Sequence, residues 1–231
     1  MFFQAIDVEP ISGALGAVVS GVDIAEDLSD RQTQGIHEAL LSFQIICFRD
    51  QSATPERPAL GSMLYALEVP DAGGDTMFAN RRLACEALSD GMKELLERLV
   101  GVNSSAQNYC GGRAKKMKQL DGMKDKFIET SEVSIAEHPA VRTHPETGHK
   151  SLHVSRAHTV RFKGMTGAES RPLIAFLFDH AVRPEFTGRL RWEPGTMVLW
   201  DNRCTQHFAI NDYDSRRRRM HRVTLIGDRP A

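Results

Sequence analysis

The sequence predicts an α+β fold with a dominant β core, and three observations carry that expectation. Its C-terminal half places short strand-like segments one after another between turn residues, only three stretches have helical periodicity, and 231 residues suffice for one sizeable core. A single domain spanning residues 1–231 is therefore expected. From Ile6 to Ile24, apolar residues mix with Gly13, Gly16 and Gly21, which favours short strands and turns before any helix. Ser29 then suits an N-cap and Gln32 completes a capping-box pattern. Ile36, Ala39, Leu40 and Leu41 supply the apolar stripe of a helix of about three turns. Phe43 to Phe48 follows as a buried strand.

Ser62 to Glu68 and Asp75 to Ala79 read as strands around the turn Asp71-Ala72-Gly73-Gly74. From about Arg82 to Leu99, the residues Leu83, Ala87, Leu88, Met92, Leu95, Leu96 and Leu99 recur at helical spacing and predict one continuous helix. Cys110 to Lys126, with Gly111, Gly112 and many lysines, reads as a loop or lid. Ala168 to Ala181 is a third helix. Arg189 to Trp192, Thr196 to Trp200, Gln206 to Ile210 and Met220 to Ile226 are short strands. No internal repeat or low-complexity segment interrupts the pattern.

Lys plus Arg number 29 and Asp plus Glu 30, for a formal charge of -1, so no global field draws the chain to nucleic acid or to a membrane. The run Arg216-Arg217-Arg218-Arg219, with His221 and Arg222, resembles a nucleic-acid patch, but strand alternation divides it between two faces. Lys115, Lys116, Lys118, Lys124 and Lys126 fit a solvated loop, or a lid that attracts anions. Cys47, Cys85, Cys110 and Cys204 are widely separated, as in a reducing cytosol. The chain has no signal-peptide pattern and no membrane-length apolar run, so a soluble cytoplasmic protein is expected.

The chemistry concentrates between Trp200 and Arg222. On an extended strand Arg218, Met220 and Arg222 share one face, with the two guanidiniums roughly 13 Å apart along the backbone at about 3.3 Å per residue. Such a pair serves two anionic groups in one cavity. His207 precedes the arginines by the turn Asn211 to Ser215, and a hairpin would bring it beside them. Its neutral imidazole suits iron, zinc, copper or nickel. Trp200 fits the core, and Asp201 and Asn202 fit a turn.

Trp200-Asp201-Asn202-Arg203, the histidine four residues later, and the arginines eleven and fifteen residues beyond it resemble the signature of the taurine dioxygenase family. Two further segments are similar to that family in order: Met63 to Thr76, and His138 to Gly148. The resemblance implies a double-stranded β-helix, or jelly roll, with flanking helices. It implies iron(II), with 2-oxoglutarate and oxygen as cosubstrates and succinate and carbon dioxide as products. His207 would be the catalytic distal histidine of a two-histidine, one-carboxylate metal site. Arg218 would hold the remote carboxylate of 2-oxoglutarate, assisted by the Thr76 hydroxyl, and Arg222 would meet a sulfonate, sulfate ester or phenoxy acid. A dimer or tetramer is implied as well.

One part of the pattern is missing. The family's His-x-Asp or His-x-Glu belongs shortly before Gly61, yet the nine histidines include only His144-Pro145-Glu146, which lies inside a matched segment and reads as a turn. Near residues 55–58, Glu56 and Arg57 adjoin where a family member would carry several core strands. Either the polypeptide lacks the segment, leaving one protein ligand for iron, or the sequence as written skips residues. The cost of deleting core strands favours the second. The alternative function is a catalytically inactive relative or deletion product that binds an acidic metabolite.

Overall fold

The computed structural model describes Phe3 and residues 5–24, 26–49, 62–104, 135–214 and 216–223. The loop expected at Cys110 to Lys126 and the Glu56–Arg57 junction lie outside the described residues. Two compact units result, Met1–Asn80 with Pro184–Asp228 and Arg81–Arg183 with Arg229–Ala231.

Among the described residues the first unit holds nine strands in two sheets. The larger sheet contains β1 (Asp7–Pro10), β2 (Ala17–Ser20), β3 (Ile45–Phe48), β4 (Ser62–Glu68), β12 (Met197–Trp200) and β14 (Arg219–Val223), in the order β1-β2-β3-β12-β4-β14. The smaller sheet contains β5 (Thr76–Asn80), β11 (Thr187–Leu190) and β13 (Thr205–Ala209), with β5 in the middle. All pairs are antiparallel except β2 with β3. That parallel pair needs a crossover, and α1 (Asp30–Phe43) supplies it. Both bonds of the expected Ser29–Gln32 capping box are present, and α1 ends where Gln44 turns left-handed at φ 64°.

Strands β3 and β12 are buried at every residue, because alternation sends their side chains into two different cores. Ile45, Cys47, Val198 and Trp200 pack between the sheets against Phe78 and Leu190 of the smaller sheet and Trp192 beyond it. Ile46, Phe48, Met197 and Leu199 pack on the opposite side with Ala39, Ile36 and Leu40 of α1. A β core faced by helix and by a second sheet is the α+β arrangement that the sequence predicts.

The second unit combines a three-stranded sheet, β10 (Thr159–Phe162), β6 (Val100–Ser104) and β7 (Ile135–Pro139), with the pair β8 (Val141–Thr143) and β9 (Lys150–Leu152). Its helices among the described residues are α2 (Arg81–Glu86), α3 (Asp90–Glu97) and α4 (Gly167–Ala181). The single helix expected from Arg82 to Leu99 is in fact α2 and α3, broken at Ser89, whose extended backbone (φ -63°, ψ 154°) opens α3 as an N-cap. The apolar periodicity runs through the break and conceals it. No helix among the described residues is long and apolar enough to cross a membrane.

Candidate anion and metal site

In the first unit, Arg218 stands one residue before β14 with its guanidinium carbon 5.7 Å from the centroid of the Trp192 ring. Its Nε and Nη2 are buried and make no hydrogen bond. Buried donors are normally matched, so this open side of the guanidinium fork offers two parallel N–H groups to a carboxylate. Burial lowers the Arg218 pKa from its ordinary value while Tyr213 and Asp75 raise it. The group remains a cation, as guanidinium does in proteins.

Thr76 opens β5 and is only 2% exposed. Its Oγ1 accepts a hydrogen bond from Trp192 Nε1 at 2.9 Å. The register explains the contact: Thr76 is opposite Leu190 on β11, and Trp192 follows two residues later on the same face. Trp192 thus touches both Thr76 and Arg218. The sequence singles out those two residues and leaves Trp192 as one more strand residue; only its long-range pairing reveals the connection.

Polar contacts fasten the turn before β5 to β11 and to the segment leading to Arg218. Gly74 N donates to Asp212 Oδ1 at 2.7 Å, Arg189 Nε donates to Asp75 Oδ2 at 2.6 Å, and Ile210 N donates to Asp75 O at 2.9 Å. A Cβ at Gly74 would come within 3.2 Å of Arg218 Cδ, so the missing side chain makes room for the arginine.

His207 lies on β13 opposite Phe78. Its ring centroid is 5.0 Å from that of Trp200 and 6.1 Å from that of Phe78. The residue retains exposed surface, yet these rings strip much of its hydration, and the charge of Arg222 adds repulsion; both lower its pKa. A neutral imidazole is the form that donates a lone pair to a metal.

The hairpin expected between His207 and the arginines does not form. β13 pairs with β5 in the smaller sheet and β14 with β4 in the larger, so His207 and Arg222 come from different sheets. The chain between Ile210 and Arg219 crosses from one to the other instead of folding back. Met220 packs into the core between the sheets, and Arg222, two residues on, shares its face. At the start of β14 the register skips Leu67 of β4, a bulge between the pairs Arg219–Glu68 and Met220–Ala66. The arginine run is divided as alternation requires, with Arg218 against Trp192 and Arg217 paired outside with Glu68 at 3.2 Å.

All nine histidines lie in the described residues, and among those residues no further pair of His, Asp, Glu or Cys converges with His207. His144-Pro145-Glu146 forms the expected turn: His144 Nδ1 accepts from the backbone N–H groups of Glu146 and Thr147 at 3.3 and 3.2 Å. Trp200 is core, donating Nε1 to Asn202 Oδ1 at 2.8 Å, and Asp201 grips Arg203 through both carboxylate oxygens.

A model of the taurine catabolism dioxygenase TauD, TfdA family matches residues 52–224. The alkylsulfatase of Acinetobacter baylyi is 31% identical, over 97% of this chain and 86% of its own length. The alpha-ketoglutarate-dependent sulfate ester dioxygenase of Pseudomonas putida is 32% identical, over 98% and 91%. A crystal structure of a taurine dioxygenase from Burkholderia xenovorans superposes with a TM-score of 0.82 at 30% identity, over 98% of this chain and 91% of that one. The alignment with the alkylsulfatase spans 276 positions against 231 residues in this chain, so at least 45 of those positions have no residue here.

Proposed function

The chain belongs to the taurine catabolism dioxygenase TauD, TfdA family of alpha-ketoglutarate-dependent oxidoreductases with a jelly-roll fold, and from that premise we propose roles for its site residues. Arg218 and Thr76 take the remote carboxylate of 2-oxoglutarate, and Arg222 takes the anionic head of a sulfonate, sulfate ester or phenoxy acid. The observation that carries this reading is the buried, unmatched Nε–Nη2 edge of Arg218, set over the Trp192 ring whose Nε1 donates to the Thr76 hydroxyl. Water excluded from that edge cannot compete with a carboxylate, which supplies the acceptors the fork lacks.

Iron(II) is the metal we assign, and His207 fits it as a neutral imidazole. The remaining donors of a two-histidine, one-carboxylate set are not gathered around it among the described residues. We place the shortfall relative to the alkylsulfatase at the Glu56–Arg57 junction, near where the resemblance calls for a His-x-Asp that this sequence lacks. The chain's own residues thus account for anion recognition more fully than for metal binding. Hydroxylation of a substrate carbon next to the heteroatom would leave an unstable product: a sulfonate would break into an aldehyde and sulfite, and a sulfate ester into an aldehyde and sulfate. The three described cysteines are buried and joined in no disulfide among the described residues, which supports a reducing cytoplasm, and we expect a homo-oligomer.

The test is conversion of 2-oxoglutarate to succinate by the iron-loaded protein with a panel of sulfonates, sulfate esters and phenoxy acids. Turnover that His207→Ala abolishes supports the enzyme. Binding of 2-oxoglutarate without turnover of any panel member would leave a binder of acidic metabolites in its place.

A further inference from the structure

We propose that Trp192 is the positioning residue of the carboxylate receptor, fixing the donor direction of Thr76 and the plane of Arg218 together. This rests on the assignment of Arg218 and Thr76 to the remote carboxylate.

An indole N–H only donates, and a threonine hydroxyl has one proton and two lone pairs. With Trp192 Nε1 at 2.9 Å from Oγ1, one lone pair is occupied and the hydroxyl proton must point elsewhere. Among the described residues this is the one hydrogen bond the hydroxyl makes. A carboxylate has only acceptors to offer, so Trp192 sets Thr76 as the donor that such a ligand requires. Freed of that bond, a strand threonine would turn its proton toward a nearby backbone carbonyl.

The guanidinium of Arg218 is constrained as well. A free arginine side chain loses rotamer entropy when a ligand fixes it. Here the fork lies 5.7 Å from the indole centroid, while its stem is confined at Gly74, where an added Cβ would stand 3.2 Å from Cδ and 3.3 Å from Nε. The two unmatched groups, Nε and Nη2, remain open. Trp192 is 4% exposed and belongs to the core between the sheets, so a packing role alone predicts lost stability without any special link to Thr76.

The experiment is a double-mutant cycle on the Kd of 2-oxoglutarate, measured by calorimetry on the full chain as wild type, Trp192→Phe, Thr76→Val and the double variant. Each single change should weaken binding about tenfold, the worth of one hydrogen bond to a charged group, and the double variant should bind no more weakly than either single one. Factors that multiply, or wild-type affinity in Trp192→Phe, would overturn the proposal. Should Trp192→Phe fold poorly, a benzothienylalanine at position 192 keeps the ring shape and lacks the N–H; it should show the same tenfold loss, and wild-type affinity there would overturn the proposal equally. Arg218→Gln separates the two claims. If it leaves the affinity for 2-oxoglutarate unchanged, the carboxylate assignment itself fails; if it abolishes binding while both Trp192 changes are silent, the positioning role alone fails.

Discussion

A Cβ atom at Gly73 would lie 2.7 Å from the carbonyl oxygen of Asp212, so the turn before β5 and the segment after β13 meet at a distance only glycine permits. Gly73 also has φ +84°, a left-handed conformation costly for other residues. Gly73→Ala should therefore destabilise the protein by about 2 kcal/mol or more, read as a lower urea midpoint at unchanged slope. Because the same contact holds the approach to Arg218, 2-oxoglutarate binding should weaken too. A variant as stable as wild type would show that the loop yields.

Chelation gives a second expectation. The remote-carboxylate grip proposed for Arg218 and Thr76 contains no metal ligand, so protein stripped of metal with EDTA should still bind 2-oxoglutarate, more weakly, and Arg218→Gln should abolish what remains. Calorimetry before and after chelation reads both. Complete loss on chelation would show that the metal carries the binding.

Arg222 is on the strand face that also carries Met220, and its charge lowers the pKa of His207. Arg222→Gln should raise KM for the sulfonate, sulfate or phenoxy substrate roughly ten- to hundredfold, the worth of charge-assisted bonds, and leave the Kd of 2-oxoglutarate unchanged. The His207 pKa should move up by NMR titration, since one of its two depressing causes is gone. An equal loss for both ligands would show that Arg222 serves the fold.

His153 provides the pH dependence. Burial first, then the nearby Arg81, His138 and Arg142, push its pKa down to about 3. Its Nδ1 is buried without a hydrogen bond, and the His138 ring stands 5.6 Å away, edge to face. The unfolded chain binds this proton near pH 6.5, the folded chain only near 3. Between those values the unfolded state holds more protons, so stability falls as pH drops from 6.5, by at most about 1.4 kcal/mol per pH unit, and is untouched by this group above 6.5. Urea midpoints from pH 7.5 to 4.5 should fall less steeply in His153→Gln. Parallel slopes would mean that His153 titrates normally.

What the sequence makes legible here is local. The Ser29–Gln32 capping box closes within three residues, and the alternation that buries β3 and β12 closes within two, so both could be expected from the pattern alone. The break between α2 and α3 was hidden because its one signal, Ser89 before Asp90, sits inside an unbroken apolar period. A hairpin at His207 looked natural from turn residues, but which sheet a strand joins is decided by partners far away: β5 for β13 and β4 for β14. For the same reason His207, Thr76, Arg218 and Arg222 stand out as residue types in a family pattern, whereas Trp192 acquires its place only through a contact with a residue 116 positions earlier.

That separation also sets a timetable. Neither β4 nor β5 has a described partner strand before Thr187: β4 waits for β12 and β14, and β5 for β11 and β13. At about 5–20 residues per second, a ribosome would take roughly 6 to 23 s to pass from Thr76 to Trp192. Throughout that interval two strands emerge with open edges, the condition in which nascent chains aggregate or recruit chaperones. With the proposed role of Arg218, affinity for the acid would appear only after synthesis has passed that residue, so premature termination before it would yield a chain without the cosubstrate site and with strand edges to shield.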